Sequence, residues 1–175
     1  ADGQRFPSSV RWTGIIQKKL GLDLKIIEEE LNGRTTNVDY ENRFGKSGKN
    51  YLRPCLDSHF PLDFIILFLG PNDTKVAFNR TAQDIANGMA ELIDIARGKD
   101  LERPSKDARI ILVGPPPIVE VGGEYGSEFR GAADKMQALI PLYRDLARRH
   151  STIFVDLNKV IAPDPVDGVH LSPES

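Results

Sequence analysis

The residues of this sequence best suited to chemistry are an acid and a histidine near the C-terminus. Asp167 precedes His170 by three residues, and the Asp167-Gly168 pair favours a turn between them. This spacing lets the carboxylate reach one ring nitrogen while the other nitrogen faces a substrate. A histidine held in this way has a fixed tautomer and can act as a general base near neutral pH. Most short pairs of this kind are surface turns, so a function depends on what else the chain places nearby.

Composition narrows the classes of protein to consider. The 175 residues are 40% hydrophobic and 27% charged, and they carry a net charge of −2, as expected for one globular domain. Basic residues are spread along the chain, so there is no electrostatic case for a nucleic-acid partner. The longest apolar run, residues 64–69, is too short to cross a bilayer, and we expect no membrane partner. We expect a soluble protein and favour the cytoplasm as its compartment. The sequence leaves open whether the protein forms a homo-oligomer.

The elements that must position these residues follow from hydrophobic periodicity. Strands are predicted over the first part of residues 22–31 and over residues 63–69, 109–113 and 152–157. Helices are predicted over residues 11–20, 51–59, 81–96 and 129–149, and Pro141 should kink or split the last of them. Loops are predicted over residues 32–36, 43–50 and 119–127.

This alternation predicts a three-layer α/β/α fold with a flavodoxin-like parallel sheet. The unbroken apolar run at residues 63–69 suits a strand covered on both faces. Ligands of such sheets bind beyond the carboxyl ends of the strands. Three loops are therefore expected to meet at one edge, namely residues 32–36, residues 70–73 and the segment that ends at His170.

Taken together, these loops resemble the SGNH (GDSL-type) hydrolase family. The Gly33 loop, Gly70-x-Asn72-Asp73 and Asp167-x-x-His170 resemble three of the family's blocks, in order along the chain. The strings at residues 31–36 and 51–56 are similar to its arylesterase-like bacterial members. The resemblance implies a carboxylic ester hydrolase that acts on short-chain or aryl esters, forms an acyl-enzyme with a serine and uses a small-molecule ester as its partner.

The resemblance also implies roles for particular residues. His170 would be the general base, and Asp167 would orient it and stabilise the imidazolium. The backbone N–H of Gly33 and the side-chain amide of Asn72 would stabilise the tetrahedral oxyanion. Simpler roles remain open, because Gly33 suits a turn with positive φ and Asn72 suits an Asx-turn after a strand. Asp73 is expected to be structural and to bond the backbone of its own loop.

Four further side chains have simple structural interpretations. Trp12 and Arg34 could line the substrate pocket, although a buried tryptophan and an ion-paired surface arginine are the simpler expectations. His59 and His150 fall beside predicted helix ends and are interpreted as structural. No cluster in the sequence has metal-ligand spacing and no glycine-rich phosphate loop follows a strand, so neither a metal nor another cofactor is expected.

One block of the resembled family has no counterpart in these residues. The family's first strand ends in Gly-Asp-Ser, which carries the nucleophile, and no such string occurs in residues 1–175. We expect the serine upstream of Ala1, and a helix that starts near Ser172 is cut off at Ser175. Residues 1–175 are thus expected to form a single domain that lacks its N-terminal strand and C-terminal helix. The alternatives are an acetyl esterase on acylated sugars and, if the chain truly starts at Ala1, a non-catalytic binding domain.

Overall fold

The computed structural model describes residues 5–98 and 107–173. Two helices come first, and from residue 64 onwards each strand is separated from the next by helices, as predicted. The strands are β1 (Phe64–Leu67), β2 (Arg109–Gly114) and β3 (Ile153–Asp156). The helices are α1 (Trp12–Leu20), α2 (Gly48–His59), α3 (Ala82–Ala96), α4 (Gly123–Glu128) and α5 (Ala132–Arg149). Two short 3₁₀ turns, Pro71–Thr74 and Val76–Phe78, follow β1.

The three strands form one parallel sheet in the order β1-β2-β3. Ile65 lies opposite Ile110 in the first pair, and Leu112 lies opposite Phe154 in the second. Because all three strands run in the same direction, the loops after β1, β2 and β3 leave from the same edge of the sheet. The predicted parallel α/β fold is confirmed.

The main core lies between this sheet and two long helices. Helix α3 contacts β1, and α5 contacts β2 and β3. Met89, Leu112 and Leu139 are essentially fully buried there, and each such side chain stabilises the fold by about 1.5–3 kcal/mol. Burial alternates along β1, however, and Phe64 and Ile66 keep 41% and 42% of their surface exposed. The prediction that this strand is covered on both faces is therefore wrong for the described residues.

Helix α1 begins one residue after the predicted start and ends at Leu20 as predicted, but the segment after it is not a strand. Gly21 ends the helix with a φ of 66°, which favours glycine. The strand was predicted over the first part of residues 22–31, but there the N–H of Ile26 donates to the side-chain oxygen of Gln17 (2.7 Å), and the carbonyl of Leu24 accepts from the side-chain amide of the same glutamine (2.9 Å). Gln17 of α1 thus bonds backbone groups that a strand would use in a ladder, and no strand forms, so this prediction is wrong.

Helix ends depart from the predictions where polar side chains cap the backbone. Helix α2 begins at Gly48, inside the predicted 43–50 loop, because the Ser47 hydroxyl accepts a hydrogen bond from the N–H of Asn50. Helix α3 starts at Ala82, with Thr81 as its N-cap, because Thr81 and Asp84 form a capping box in which each side chain accepts from the other's backbone N–H. The predicted 119–127 loop instead contains the start of α4.

Pro141 lies inside α5, and the helix runs on without a split. The proline removes one backbone hydrogen bond, while the buried Ile140 and Tyr143 on either side hold the helix against the sheet. The helix predicted to start near Ser172 would include residues 174–175, which lie outside the described residues. No helix within residues 5–98 or 107–173 combines the length and the apolar character needed to cross a bilayer.

Candidate active site

The loop that carries the acid and the histidine is closed by its own backbone. The N–H of Asp164 donates to the carbonyl of His170 (2.7 Å), and the carbonyl of Asp164 accepts from the N–H of Gly168 (2.8 Å). Gly168 has a φ of +70°, and its carbonyl accepts a hydrogen bond from the N–H of Val119, which lies beyond the end of β2. A Cβ at position 168 would lie 1.8 Å from the carbonyl oxygen of Val119, so only glycine fits. These bonds fasten the loop to the carboxyl edge of the sheet.

Within this loop, Asp167 holds both the backbone and the ring of His170. One carboxylate oxygen accepts from the N–H groups of Val169 (2.9 Å) and His170 (2.8 Å), and the other lies 2.8 Å from Nδ1 of His170. Burial raises the pKa of Asp167, but the hydrogen bonds from His170 and Val169 outweigh it, and the net pKa is below the ordinary value.

The ionised Asp167 decides the state of the imidazole. A carboxylate only accepts hydrogen bonds, so Nδ1 of His170 must carry the proton that joins the two groups. In the neutral ring, Nε2 then holds the lone pair and is the atom able to take a proton from a substrate or nucleophile. The pair found from sequence therefore has the connectivity of a general base and its orienting acid, and 53% of the His170 side chain is exposed.

Gly33, whose backbone N–H is the first candidate oxyanion donor, lies in a tight turn. The N–H of Arg34 donates to the carbonyl of Leu31 and closes a four-residue turn, in which Gly33 has a φ of +77°. Gly33 is buried, and among residues 5–98 and 107–173 its own N–H has no hydrogen-bond partner. Buried amides are rarely left without a partner, so this N–H is available to an acceptor such as an oxyanion.

Asn72 reaches across to the same turn. Its side-chain amide donates to the carbonyl oxygen of Arg34 (3.2 Å), which is the residue after Gly33. An Asx-turn would need the side-chain oxygen of Asn72 to accept a backbone N–H, and within the described residues it accepts none, so the simpler expectation is not met. An asparagine amide has two N–H donors, and this bond uses one of them. Gly33 and Asn72, 39 positions apart in sequence, are brought together through Arg34.

Asp73 fastens these two loops together from inside the protein. Its fully buried carboxylate accepts hydrogen bonds from the N–H (2.9 Å) and hydroxyl (2.6 Å) of Thr36 and from the guanidinium of Arg80 (2.6 Å). Burial raises the pKa of Asp73, and Thr36 and Arg80 oppose that rise. Asp73 bonds its own backbone N–H, as expected of a structural residue in this loop, but its other partners, Thr36 and Arg80, lie outside the loop. Arg80 was not predicted, because nothing local marks an arginine as the partner of an acid seven residues earlier.

The two candidate pocket residues differ from their simpler expectations. Trp12 is 37% exposed and meets Phe68, just after β1, edge to face with ring centroids 6.3 Å apart. The guanidinium of Arg34 lies over the ring of Tyr51, 4.0 Å from its centroid, a cation–π contact. Trp12 is therefore not buried, while Arg34 packs on an aromatic ring. That both line a substrate pocket stays a prediction.

A second cluster was not predicted. The carboxylate of Glu29 accepts a hydrogen bond from the hydroxyl of Tyr51 and lies 2.6 Å from Nε2 of His59, and Cys55 lies beside it. The bond to Glu29 raises the pKa of Tyr51 to about 12, and burial raises the pKa of Cys55. His59 ends α2, as expected, and the signal that could have revealed the cluster is Cys55-x-x-x-His59, which puts both side chains on one helix face.

The candidate residues therefore form two groups at one edge of the sheet. Gly33, Arg34 and Asn72 belong to the loops beside β1, whereas Asp167 and His170 follow β3 and are fastened to the chain beyond β2. That His170 comes within reach of the Gly33 and Asn72 donors stays a prediction. An ionised acid, an oriented imidazole and two amide donors are the groups that acyl transfer to a nucleophile requires.

Known proteins share this fold. The profile of the GDSL-like lipase/acylhydrolase family matches residues 1–175. A carbohydrate acetylesterase from Sinorhizobium meliloti and the aryl esterase of M. smegmatis each superpose with a TM-score of 0.91 at 37% sequence identity. Each alignment covers 99% of this chain and 82% of the other. Among curated proteins no sequence matches this chain.

The chain belongs to the GDSL-like lipase/acylhydrolase family. The expected resemblance is confirmed, and so is the expected class of carboxylic ester hydrolase.

Proposed function

We propose that this enzyme hydrolyses short-chain or aryl carboxylic esters through an acyl-enzyme, with His170 as its general base. The observation that carries the proposal is the 2.8 Å contact between the carboxylate of Asp167 and Nδ1 of His170. The pKa of this same carboxylate is lowered. The nucleophile in this proposal is the serine of a Gly-Asp-Ser segment, which residues 1–175 do not contain and which we expected upstream of Ala1.

In the first half of the reaction, Nε2 of His170 takes the proton of the serine hydroxyl as the serine oxygen attacks the ester carbonyl carbon. The carbonyl oxygen becomes an oxyanion, which the N–H of Gly33 and the remaining N–H of the Asn72 amide would stabilise. The tetrahedral intermediate then collapses, the bond to the alkoxy group breaks, and the imidazolium returns its proton to the departing alcohol or phenol.

The second half repeats these steps with water. His170 takes a proton from water, the hydroxide attacks the acyl carbon, and the serine leaves with the proton from the imidazolium. The products are a carboxylic acid and the free serine enzyme. Asp167 keeps its negative charge throughout and stabilises the imidazolium formed in each half.

Replacing Asn72 by alanine should lower kcat by about 10²–10³-fold, because one donor to the oxyanion is lost. KM should change much less, because this donor acts chiefly on the charge that develops in the transition state. The measurement is steady-state hydrolysis by the protein extended upstream to include the serine. Asn87→Ala is the matched control, since Asn87 is an exposed residue of α3, and it should keep normal kcat. Normal kcat in Asn72→Ala would remove Asn72 from the oxyanion site.

The substrate class is tested by comparing p-nitrophenyl esters of increasing acyl length with acetylated sugars. The aryl esters are favoured because Trp12 and Phe68 place two aromatic rings beside the end of β1. We expect kcat/KM to be highest for acetyl to butyryl aryl esters and to fall with longer chains. The acetylated sugars represent the second candidate, which the 37% identical carbohydrate acetylesterase supports. A higher kcat/KM for acetylated sugars would replace the first candidate by the second, and no turnover of any ester would contradict both.

A further inference from the structure

The unpredicted cluster joins three kinds of metal ligand from two parts of the chain. Cys55 and His59 lie one turn apart on α2, and Glu29 comes from the irregular segment after α1. One ligand atom from each residue, namely the Cys55 thiol sulfur, an imidazole nitrogen of His59 and a carboxylate oxygen of Glu29, lies within 4.8 Å of the other two. All three residues are half-buried, so the ligand atoms are partly sheltered but reachable.

We propose that Glu29, Cys55 and His59 form a binding site for a divalent cation of borderline softness, with Zn²⁺ as the reference ion. Thiolate, imidazole and carboxylate are the three side chains that Zn²⁺ takes in proteins, and thiolate disfavours the hard ions Mg²⁺ and Ca²⁺. Three protein ligands leave one tetrahedral position for water.

The geometry needs only small adjustments. Zn–N, Zn–O and Zn–S bonds of about 2.0–2.3 Å in a tetrahedron place the ligand atoms roughly 3.4–3.6 Å apart. On binding, the distance between the Glu29 oxygen and the His59 nitrogen would lengthen from 2.6 Å. The distances from these atoms to the Cys55 sulfur, which now lie within 4.8 Å, would adjust to the tetrahedral value. Rotation of half-exposed side chains suffices for changes of about 1 Å. The cation would take the place of the proton that now joins the carboxylate to the imidazole.

The surroundings already orient one of the ligands. The hydroxyl of Tyr51 donates to one carboxylate oxygen of Glu29. This bond holds the carboxylate so that its other oxygen faces His59. Metal-binding carboxylates are usually held by such an outer hydrogen bond. A cavity of about 470 Å³ between α1 and residues 25–28 reaches His59 and offers a route for the ion.

The charge balance also permits binding. The guanidinium of Arg34, over the Tyr51 ring, opposes a cation at the site, and Lys25 and the Glu28-paired Arg11 line the cavity that leads to it. On binding, the Cys55 thiol releases its proton to solvent and His59 binds as the neutral ring. Thiolate and carboxylate then supply two negative charges against the two positive charges of the ion.

The test is titration of the metal-free 175-residue chain with Co²⁺, followed by competition with Zn²⁺. Co²⁺ bound to a thiolate gives a sulfur-to-metal charge-transfer band in the near ultraviolet. Cys55 is the only cysteine of these residues, so such a band identifies its sulfur as a ligand. We expect the band to appear at one equivalent and to be abolished when Zn²⁺ displaces Co²⁺.

Four variants separate this site from adventitious binding. Cys55→Ser should remove the band, and His59→Gln should weaken Zn²⁺ binding by at least about 100-fold. Tyr51→Phe keeps the ring under Arg34 but loses the bond to Glu29, and it should weaken binding by about 10–100-fold. His150→Gln is the matched control, because His150 lies 3.6 Å from Asp94 at another helix end and belongs to no three-ligand group of the described residues.

Circular dichroism and thermal unfolding of the metal-free variants show whether each one is folded before it is compared. The absence of a charge-transfer band in the unmodified chain would overturn the proposal. An unchanged Zn²⁺ affinity in His59→Gln would overturn it equally. No step of this test uses ester hydrolysis, so its outcome is independent of the proposed function.

Discussion

Replacing His170 by alanine is expected to lower kcat by about 10⁴–10⁶-fold in the protein extended to include the serine, because base and nucleophile act as one unit. The alanine side chain cannot take the serine proton, and the carboxylate of Asp167 cannot replace the ring from its place in the loop. The measurement is steady-state hydrolysis of p-nitrophenyl acetate, with active-site titration to show that the residual rate belongs to the variant.

His150→Ala is the control for the loss of an imidazole elsewhere in the protein. His150 is the C-terminal cap of α5, beyond the helix that packs on the sheet, and its replacement should leave kcat within about twofold. A His170→Ala enzyme that retains more than a tenth of normal kcat would show that His170 is not the base. In that case, the hydrogen bond to Asp167 would be structural only.

Replacing Asp73 by alanine is expected to lower the free energy of unfolding by about 3–5 kcal/mol, because it leaves a charged partner in the interior. Arg80 exposes only 10% of its side chain and would lose its carboxylate partner, while Thr36 would lose the acceptor of its N–H. The measurement is chemical denaturation of the 175-residue chain, which needs no activity. Because natural domains are stable by only about 5–15 kcal/mol, this loss is a large share of the total.

Asp145→Ala provides the matched control for the loss of an ion pair. Asp145 also lies within hydrogen-bonding distance of an arginine, Arg148, but both side chains are well exposed, so the pair contributes little. Thr36→Val is a milder probe of the same network, since it removes only the hydroxyl that donates to Asp73. Equal losses for Asp73→Ala and Asp145→Ala would contradict the role given to the buried network.

The Asp73 network also has a consequence for catalysis. It joins the loop of Gly33 to the turn of Asn72, and these loops supply both candidate oxyanion donors. A donor must be held within about 0.5 Å of its productive position to stabilise a transition state fully. The buried carboxylate of Asp73 thus lies between the two loops. A small shift of either loop there would move the Gly33 and Asn72 donors apart.

The sequence by itself determined the elements whose signals are local. The capping box from Thr81 to Asp84 fixed the start of α3 because its bonds span three residues. Asp167 and His170 were identified for the same reason, since their contact also spans three residues. Apolar runs predicted β1, β2 and β3 because parallel strands that pack against helices are rich in such side chains, even though alternate side chains of β1 stay exposed.

The tertiary structure alone decided the pairings between distant residues. Thr36 meets Asp73 across 37 positions, and Glu29 meets His59 across 30, without any local pattern that marks one residue as the partner of the other. In residues 22–31 the sequence instead predicted an element that does not form, because the apolar residues there suggested a strand. The side chain of Gln17 in α1 bonds the backbone of Leu24 and Ile26 instead. A short stretch of sequence fixes local backbone preference, but whether a strand forms depends on a partner strand, which only the folded chain supplies.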